Sequence, residues 1–548
     1  MAELAAVRTQ KKPMNMVLIT MDTHLNSAAR RAERELQKTI PGLSLKIHSA
    51  SEYAASEKLL TECKNDIAAG DIVIVTMLFL EDHYLPIIDN LRARREHCDA
   101  MLCAMSAGDV TKLTRLSKLD MSLPASPLMA LMKKLRPTSK GKGGNSKGGA
   151  TAGAKQMKML RLIPQILRFV PGTAQDLRAY FLSLQYWLGG SQENLFNLMS
   201  YLINRYAAGA RASLRENAKA IDPVAYPDLG VYHPRMKGRL SERLQDLPVV
   251  VPQPKARGKV GILLLRSYLV SGNSGHYDPV ITALEAQGLQ VIPAFSSGLD
   301  SRPAIDTFFT QNGEASIDAL ISLTGFSLVG GPAYNDAKAA EEVLAKLNVP
   351  YIAAHPVEFQ NLEQWGGSDR GLLPVESTIM VAIPELDGST VPMVYGGRPG
   401  AAGKTCHGCH KECMFTEAHN PQDMFTCIER VGMLAARVGK LVDLRRSERA
   451  QRKVAIVLFN FPPNAGNIGS AAYLSVFESV HNLLLGMKAR GYTVDVPATT
   501  DELREQLLKG NAQQYGADAN VHTLISANDH VKRERWPTLA LNMIIRRN

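Results

Sequence analysis

The alternation of short apolar runs with helix-length segments is the feature that most constrains this fold. In the first 135 residues the apolar runs are Met16–Thr20, Leu43–His48, Ile72–Leu80 and Met101–Met105. Strands joined by helices in this rhythm pair in parallel through right-handed crossovers. The run Ile72–Leu80 is apolar on both faces, which predicts a central strand covered on both sides. We therefore expect an N-terminal α/β domain over residues 1–135.

A change in composition marks the end of this domain. Residues 136–155 are rich in Lys, Gly and Ser and contain no large apolar side chain. Such a segment cannot bury a core, so we interpret it as a flexible linker. Residues 156–250 then form a predicted helical region, because Leu195, Leu198 and Leu202 have the spacing of one buried helix face.

The segment Met157–Phe169 is apolar with only basic charges, and Pro164 interrupts it. It predicts either a helix lying on a membrane surface or a helix packed on its neighbours, and the short broken run favours packing. The apolar run between Asp71 and Glu81 is far shorter than the roughly 20 residues of a membrane span. The N-terminal apolar stretch is too short for a secretory signal. We expect a cytoplasmic protein with at most peripheral membrane contact.

From residue 251 the α/β rhythm returns in two similar units. Each unit has a strand, a loop rich in Gly and Asn, a helix and a second strand. The loops are Ser271–His276 and Asn464–Gly469. They follow strands, where ligands bind in open parallel sheets, although a plain tight turn also favours Gly and Asn. The predicted organisation is an α/β lobe at 251–400, a cysteine-bearing segment at 401–450, a second α/β lobe at 451–535 and an atypical tail at 536–548.

The second unit of this pair rests on two predicted strands. They are Lys453–Phe459 and Gly491–Ala498. The predicted fold class is therefore α/β, with several Rossmann-like parallel-sheet lobes and a helical insertion.

The charge balance points to an anionic partner. The chain has 63 basic and 52 acidic residues, which gives a net charge of +11. Nucleic acid, a membrane surface and a carboxylated ligand all fit this excess. The lysines between Lys140 and Lys158 lie mainly in the predicted linker and are not interleaved with aromatic residues, so we do not expect nucleic-acid binding.

The cysteines give the sharpest local signal. Four of the seven are Cys406, Cys409, Cys413 and Cys427, all within 22 residues. Four thiolates can hold a [4Fe–4S] cluster. They can also hold a structural zinc, with His407 or His410 replacing one thiol. Ordinary reduced thiols remain the third interpretation. The separate cysteines, predicted to be core residues, are Cys63, Cys98 and Cys103.

Three further side chains are candidates for a ligand site. His276 lies in the first ligand-side loop, where it could exchange a proton or meet a metal, or form a turn with Asp278. Glu376 precedes a predicted buried strand and is either a site carboxylate or a helix-end partner. Arg398 could bind a carboxylate through two hydrogen bonds, or it could form an ion pair with Asp369 or Glu385. The segment Gly400–Thr405 lacks the spacing of a phosphate-binding loop, so we expect any ATP site on another chain.

Four long segments resemble one family. They are Thr324–Asp336, Leu373–Glu385, Gly396–Arg398 and Phe461–Gly469. Together they resemble the large, porphyrin-binding subunits of magnesium chelatases, and the first three clustered cysteines are similar to the bacteriochlorophyll branch. The large subunit of cobaltochelatase, which acts in cobalamin biosynthesis, shares the broad pattern. The resemblance extends from about Met14 to about Arg535.

The resemblance implies an enzyme subunit that binds protoporphyrin IX for the ATP-dependent insertion of Mg²⁺, a ligase forming nitrogen–metal bonds. It implies two AAA+ partner subunits that bind and hydrolyse ATP, and contact with the methyltransferase of the next step. Candidate porphyrin-binding residues are His276, Glu376 and Arg398, and no catalytic residue is assigned. Members of this family are more than twice as long, and the tail after Arg535 does not resemble them, so we expect a truncated form. A non-catalytic tetrapyrrole-binding or redox-sensing module is the alternative.

Overall fold

The computed structural model describes residues 13–21, 23–54, 56–123, 162–330, 335–417, 423–458 and 471–515. The chain divides into two compact units, Met1–Ala435 and Ala436–Asn548. The predicted linker at 136–155 and the tail at 536–548 lie outside the described residues.

The first unit begins with a parallel sheet. Its order is β2-β1-β3-β4, extended at one edge by two short antiparallel strands. The strands are β1 (Met14–Thr20), β2 (Leu43–Ser49), β3 (Ile72–Thr76), β4 (Ala100–Ala104), β5 (Arg115–Leu116) and β6 (Leu119–Asp120). The helices are α1 (Asn26–Leu36), α2 (Ala50–Ala54), α3 (Glu57–Ala69), α4 (Glu81–Arg95) and α5 (Gly108–Thr111). The predicted N-terminal α/β pattern is thus confirmed.

This sheet is covered on both faces, as the apolar strand pattern predicts. Met16 and Leu18 of β1 pack on one side, and Val17 and Ile19 pack on the other. Helices α6 (Thr173–Gly189) and α7 (Gln192–Tyr206) pack on the Met16 side, so the helical region completes the first core. The other core contains the three separate cysteines, Cys63, Cys98 and Cys103, which are buried as predicted.

A second sheet of eight strands has the order β16-β15-β14-β13-β9-β10-β7-β8. Its five central strands, from β15 to β10, are parallel. The strands are β7 (Leu229–Tyr232), β8 (Leu240–Ser241), β9 (Gly258–Leu265), β10 (Leu289–Ser296), β13 (Ala319–Ser322), β14 (Tyr351–Asn361), β15 (Thr390–Arg398) and β16 (Phe425–Thr426), and β11 (Thr310–Gln311) with β12 (Glu314–Ala315) forms a separate hairpin.

The helices of this second lobe connect its strands. They are α8 (Arg266–Val270), α9 (Asp278–Ala286), α10 (Arg302–Ala304), α11 (Ala337–Leu347), α12 (Leu362–Gly367), α13 (Pro374–Glu376), α14 (Ile383–Asp387) and α15 (Ile428–Arg446). The predicted α/β fold class with parallel-sheet lobes is confirmed. No helix in the described part of the chain combines the length and apolar character needed to cross a bilayer.

The buried strand predicted after Glu376 is wrong. Helix α13 continues through a π-helical stretch, Ser377–Ala382, into α14. Pro374 starts the helix at its first turn, and Gly388 ends it with a left-handed φ of 110°. A short apolar run alone does not distinguish a strand from a buried helix, and here the two terminal residues decide.

The second unit also differs from the predicted pattern. It contains α16 (Val476–Ala489) and α17 (Thr500–Tyr515), but residues 453–458 and 492–497 form no strand ladder among the described residues. A strand is stable only when neighbouring strands satisfy its backbone, and the described part of this unit provides no such neighbour. The loop predicted at Asn464–Gly469 lies outside the described residues.

The apolar segment Met157–Phe169 is described only from residue 162 onwards. Residues 162–167 are helical, with Leu167 buried and Ile166 and Phe169 exposed. One side of this short helix is therefore packed, and its membrane-surface interpretation stays a prediction.

Candidate functional site

The carboxyl edges of the two parallel sheets face each other. His24 follows β1, Tyr268 follows β9, and their ring centroids are 5.5 Å apart. Arg31 in α1 donates from Nη2 to the carbonyl oxygen of Ser271 at 2.6 Å. In open α/β sheets, ligands bind beyond the carboxyl ends of the strands, at the point where connections to neighbouring strands run in opposite directions. In the first sheet this point lies after β1, and in the second sheet it lies after β9. The structure therefore brings the two points together.

Arg398 connects these two edges. It is the last residue of β15, and its Nη1 lies 3.0 Å from Oε1 of Glu52, which follows β2. Its Nη2 donates to the carbonyl oxygen of Glu358 at 2.9 Å. Its Nε is buried and has no hydrogen-bond partner among the described residues. Arg398 thus forms a structural ion pair, but with Glu52 and not with Asp369 or Glu385, the two partners expected from the sequence. Its role in binding a ligand carboxylate stays a prediction.

His276 is completely buried beneath this edge. Its ring lies 4.9 Å from Tyr268 and 3.7 Å from Tyr277, and it stacks on Tyr395 at 6.2 Å between centroids. No hydrogen bond of good geometry reaches either ring nitrogen from the described residues, although the backbone of Asn273 lies near enough to act on the ring. Burial lowers the pKa of His276 to about 3, and the Asn273 backbone acts in the opposite direction. The imidazole is therefore neutral at physiological pH.

Two further buried groups belong to this region and were not found from the sequence. His355 on β14 is buried without a partner for either ring nitrogen in the described part of the chain, and burial lowers its pKa to about 3, with Arg430 adding to the effect. Tyr395 on β15 has an unpartnered hydroxyl there too, and burial raises its pKa. The sequence signal that could have revealed His355 was its position between Ala354 and Pro356, inside an apolar strand pattern.

Glu376 is buried and held by the chain's own backbone. Its carboxylate accepts hydrogen bonds from the backbone N–H groups of Phe359 at 3.2 Å and Leu373 at 3.1 Å, and from the side-chain amide of Gln360 at 2.5 Å. These contacts fasten the start of α13 to the end of β14. This arrangement matches the helix-end role that was one of the two interpretations from sequence.

Three of the clustered cysteines lie on a tight hairpin. Cys406 N–H donates to the Cys413 carbonyl at 2.8 Å, and Gly403 N–H donates to the Phe415 carbonyl at 2.8 Å. Gly408 N–H donates to Sγ of Cys406 at 3.4 Å. Hydrogen bonds from the backbone to sulfur are one means by which proteins stabilise metal-bound thiolates.

The four thiols contact one another. Cys409 is a hydrogen-bond partner of both Cys413 and Cys427, and Cys406 interacts electrostatically with Cys409 and Cys413. Burial raises the pKa of Cys406 and Cys413, and it raises that of Cys427 to about 12. The thiols of Cys406, Cys413 and Cys427 are therefore protonated when no cation is bound. No three Cys, His, Asp or Glu side chains within the described ranges converge in metal-holding geometry. The donor set thus fits a metal centre in its chemistry, while its present positions do not form one.

All the candidate residues lie around the carboxyl end of β14. Tyr268, the ring neighbour of His276, donates to Oε1 of Glu358 at 2.8 Å. Arg398 contacts the carbonyl of the same residue. Helix α12 follows directly, and Cys406 donates to its Leu362 carbonyl at 3.7 Å. Residues that are more than 100 positions apart in the sequence thereby share one region.

Comparison with known proteins identifies the family. A family model described as CobN/Magnesium Chelatase matches residues 184–544. The chain belongs to the CobN/magnesium chelatase family. A second family model, a domain of unknown function (DUF3479), matches residues 15–181. The family resemblance predicted from the four sequence segments is therefore confirmed.

This CobN/magnesium chelatase member is similar to two magnesium-chelatase H subunits. It is 47% identical over 524 residues to that of Cereibacter sphaeroides, covering 95% of this chain and 43% of that protein. It is 44% identical to that of Rhodobacter capsulatus, covering 95% and 42%. A solved structure of the catalytic subunit of cobaltochelatase from Mycobacterium tuberculosis matches with a TM-score of 0.49 and 17% identity, covering 92% of this chain and 33% of that one. The chain thus spans less than half the length of these relatives.

Proposed function

We propose that this chain is a porphyrin-binding part of a magnesium chelatase, acting in (bacterio)chlorophyll biosynthesis. The observation that carries the proposal is that the carboxyl edges of two parallel sheets face each other in a member of this family. We propose that the ligand binds in a cleft between these edges. Protoporphyrin IX is a flat apolar molecule with two carboxylates, so its site needs apolar walls and a cation at one end. Arg398 supplies the cation, and half-exposed Phe79 and Phe359 provide apolar surface at the two edges.

The two buried histidines support the proposed site and do not act as its bases. Mg²⁺ insertion releases two pyrrole protons, which calls for a proton acceptor. His276 and His355 are neutral, but burial lowers the pKa of each to about 3, so both are weak proton acceptors near neutral pH. In the described arrangement they also lie beneath the edge and do not reach a ligand. We assign no catalytic residue.

The remaining parts of the reaction belong to partners. Mg²⁺ dehydrates reluctantly, so its insertion is coupled to an energy source. The sequence carries no phosphate-binding loop of the usual spacing, and we propose that AAA+ subunits bind and hydrolyse ATP on other chains. We further propose a cytoplasmic location, peripheral membrane contact at most, and transfer of the product to the methyltransferase of the next step.

The clustered thiols are proposed to hold a [4Fe–4S] cluster through Cys406, Cys409, Cys413 and Cys427. Three buried thiols, one half-buried thiol and an N–H···S bond support this assignment. A cluster would supply electron transfer or a response to oxidation. A zinc ion is the competing occupant, with His407 or His410 in place of one thiol; both histidines are exposed.

Metal analysis of anaerobically purified protein tests this assignment. About four iron and four sulfide per chain, lost in Cys427→Ser and retained in Cys63→Ser, would support the cluster. One zinc per chain would instead indicate a structural zinc site and rule out the cluster. Neither metal, in protein whose thiols all titrate as free, would contradict both.

The porphyrin proposal is tested by fluorescence-quenching titration with protoporphyrin. Saturable quenching by wild-type protein, weakened about tenfold or more in Arg398→Gln, is the expected result. Arg243→Gln is the matched control, because the side chain of this exposed arginine pairs with Asp246 of its own turn. Equal binding of protoporphyrin by the Arg398 and Arg243 variants would refute the role of Arg398 and of the cleft. Magnesium insertion with the partner subunits then separates an enzyme subunit from a tetrapyrrole carrier.

A further inference from the structure

The ion pair between Glu52 and Arg398 has the geometry of a replaceable contact. It joins one carboxylate oxygen to one guanidinium nitrogen, so the pair is monodentate. Arginine has five N–H donors and binds carboxylates most strongly through two parallel hydrogen bonds. The Arg398 side chain is 18% exposed, and its Nε is buried without a partner in the described part of the chain. The guanidinium therefore retains N–H donors that Glu52 does not use.

Glu52 is the more exposed and less constrained member of this pair. Its side chain is 41% exposed, more than twice the exposure of Arg398. It lies on α2, a five-residue helix after β2, whereas Arg398 is additionally fixed to the Glu358 carbonyl. An incoming carboxylate would therefore displace Glu52 and leave Arg398 in place.

The same edge carries strained backbone. Met77 follows β3 with a φ of 61°, and Met105 follows β4 with a φ of 46°. A residue other than glycine in this left-handed region costs about 1–3 kcal/mol, and such positions concentrate at ligand sites. Leu80, three residues after Met77, is exposed. The strained turns and this exposed side chain lie at the carboxyl edge of the first sheet, where Glu52 also lies.

We propose that Glu52 occupies, in the ligand-free chain, the position that a ligand carboxylate takes on Arg398. The ligand class is a flat apolar molecule with peripheral carboxylates, and this inference rests on the proposed porphyrin-binding function. Binding of such a ligand breaks the ion pair between α2 and β15, so carboxylate recognition is coupled to release of the two edges. Glu52 thereby lowers the affinity for the free acid and leaves the affinity for an ester unchanged.

The test compares a porphyrin dicarboxylic acid with its dimethyl ester, each titrated by fluorescence quenching. Glu52→Gln keeps the shape of the side chain and removes its charge. We expect this variant to bind the diacid about tenfold more tightly than wild-type protein and the diester with unchanged affinity. Glu96→Gln is the matched control, because Glu96 is an exposed ion-pair partner of Arg95 at the opposite edge of the first sheet. It should bind both ligands as the wild type does.

Each other outcome contradicts one part of this proposal or the proposed function on which it rests. Wild-type binding of the diacid with no gain in Glu52→Gln refutes the competition and leaves porphyrin binding intact. Equal gains for diacid and diester would show that loss of the ion pair opens the cleft without competition at Arg398. Absence of binding by wild type and variant alike overturns the proposed function and this inference with it. If Glu52→Gln does not fold, Glu52→Asp shortens the reach to Arg398 and should give a smaller gain for the diacid alone.

Discussion

Acidification should destabilise the first unit through its two buried histidines. In the folded chain the pKa values of His276 and His355 are about 3, whereas an unfolded histidine titrates near 6.5. Between these values the unfolded chain binds a proton at each site and the folded chain does not. The stability contributed by the neutral rings is therefore complete above about pH 6.5 and is lost as the pH falls towards 3.

The size of the loss follows from the difference between the folded and unfolded pKa values. Each histidine makes the free energy of unfolding about 2 kcal/mol lower at pH 5 than at pH 7.5, and the two together make it about 4 kcal/mol lower. Domains are stable by only about 5–15 kcal/mol, so this loss is a substantial part of the total. Both side chains are completely shielded from solvent, which is why screening does not reduce the effect.

Urea unfolding at pH 7.5 and pH 5.0 measures this loss, with fluorescence of the buried Trp187 and Trp365 as the signal. Other titrating groups are common to all variants, so the comparison is the change in unfolding free energy between the two pH values. His276→Gln should lose about 2 kcal/mol less than wild type on acidification, whatever its stability at pH 7.5. His410→Gln, at an exposed histidine, should behave as wild type. An equal loss in His276→Gln and wild type would refute the neutral, desolvated imidazole.

Two further predictions concern the packing near the site. Gly408→Ala should cost about 1–3 kcal/mol, because the added Cβ would clash with the indole ring of Trp365. Thermal unfolding measures the loss. The helical Gly432→Ala, with open space at its Cβ, is the control and should be neutral or stabilising. Asp387→Asn should raise the free energy of unfolding in urea at pH 7 by about 1 kcal/mol or less, because burial raises the pKa of Asp387 and disfavours its ionised form, although Ser327 and the Leu328 N–H donate hydrogen bonds to it. That gain should shrink as the pH falls and the wild-type carboxyl becomes protonated, and a gain independent of pH would contradict the assignment.

The fold was predictable where a pattern is local. The strand Met16–Thr20 and the helix face of Leu195 depend on periodicity, and both appear as expected. The strand predicted after Glu376 was wrong. The β-branched residues of this segment suit a strand, whereas Pro374 and Gly388 mark the ends of a helix, and the structure shows that the helix forms.

The site was predictable only in part. The cysteines share a short sequence window, so their proximity could be foreseen. Arg398 was a candidate, but its partner Glu52 is 346 positions away, and no local pattern indicates that contact. His355 was missed because a single histidine in an apolar strand is usually an ordinary core residue. Its importance comes from its unpartnered nitrogens, which depend on the tertiary structure.

The unsatisfied polar groups argue that this edge is shaped by binding as well as by stability. A buried polar atom without a hydrogen bond costs about 1–3 kcal/mol, and native proteins keep few of them. Within the described residues, His276, His355 and Tyr395 are three such groups on adjoining elements near the carboxyl edge of one sheet. Met77 adds backbone strain at the facing edge. A chain under selection for stability alone would remove these costs through single substitutions. The buried groups lie beneath the edge and do not reach a ligand themselves, so their concentration there is expected of a region that supports the ligand site we propose.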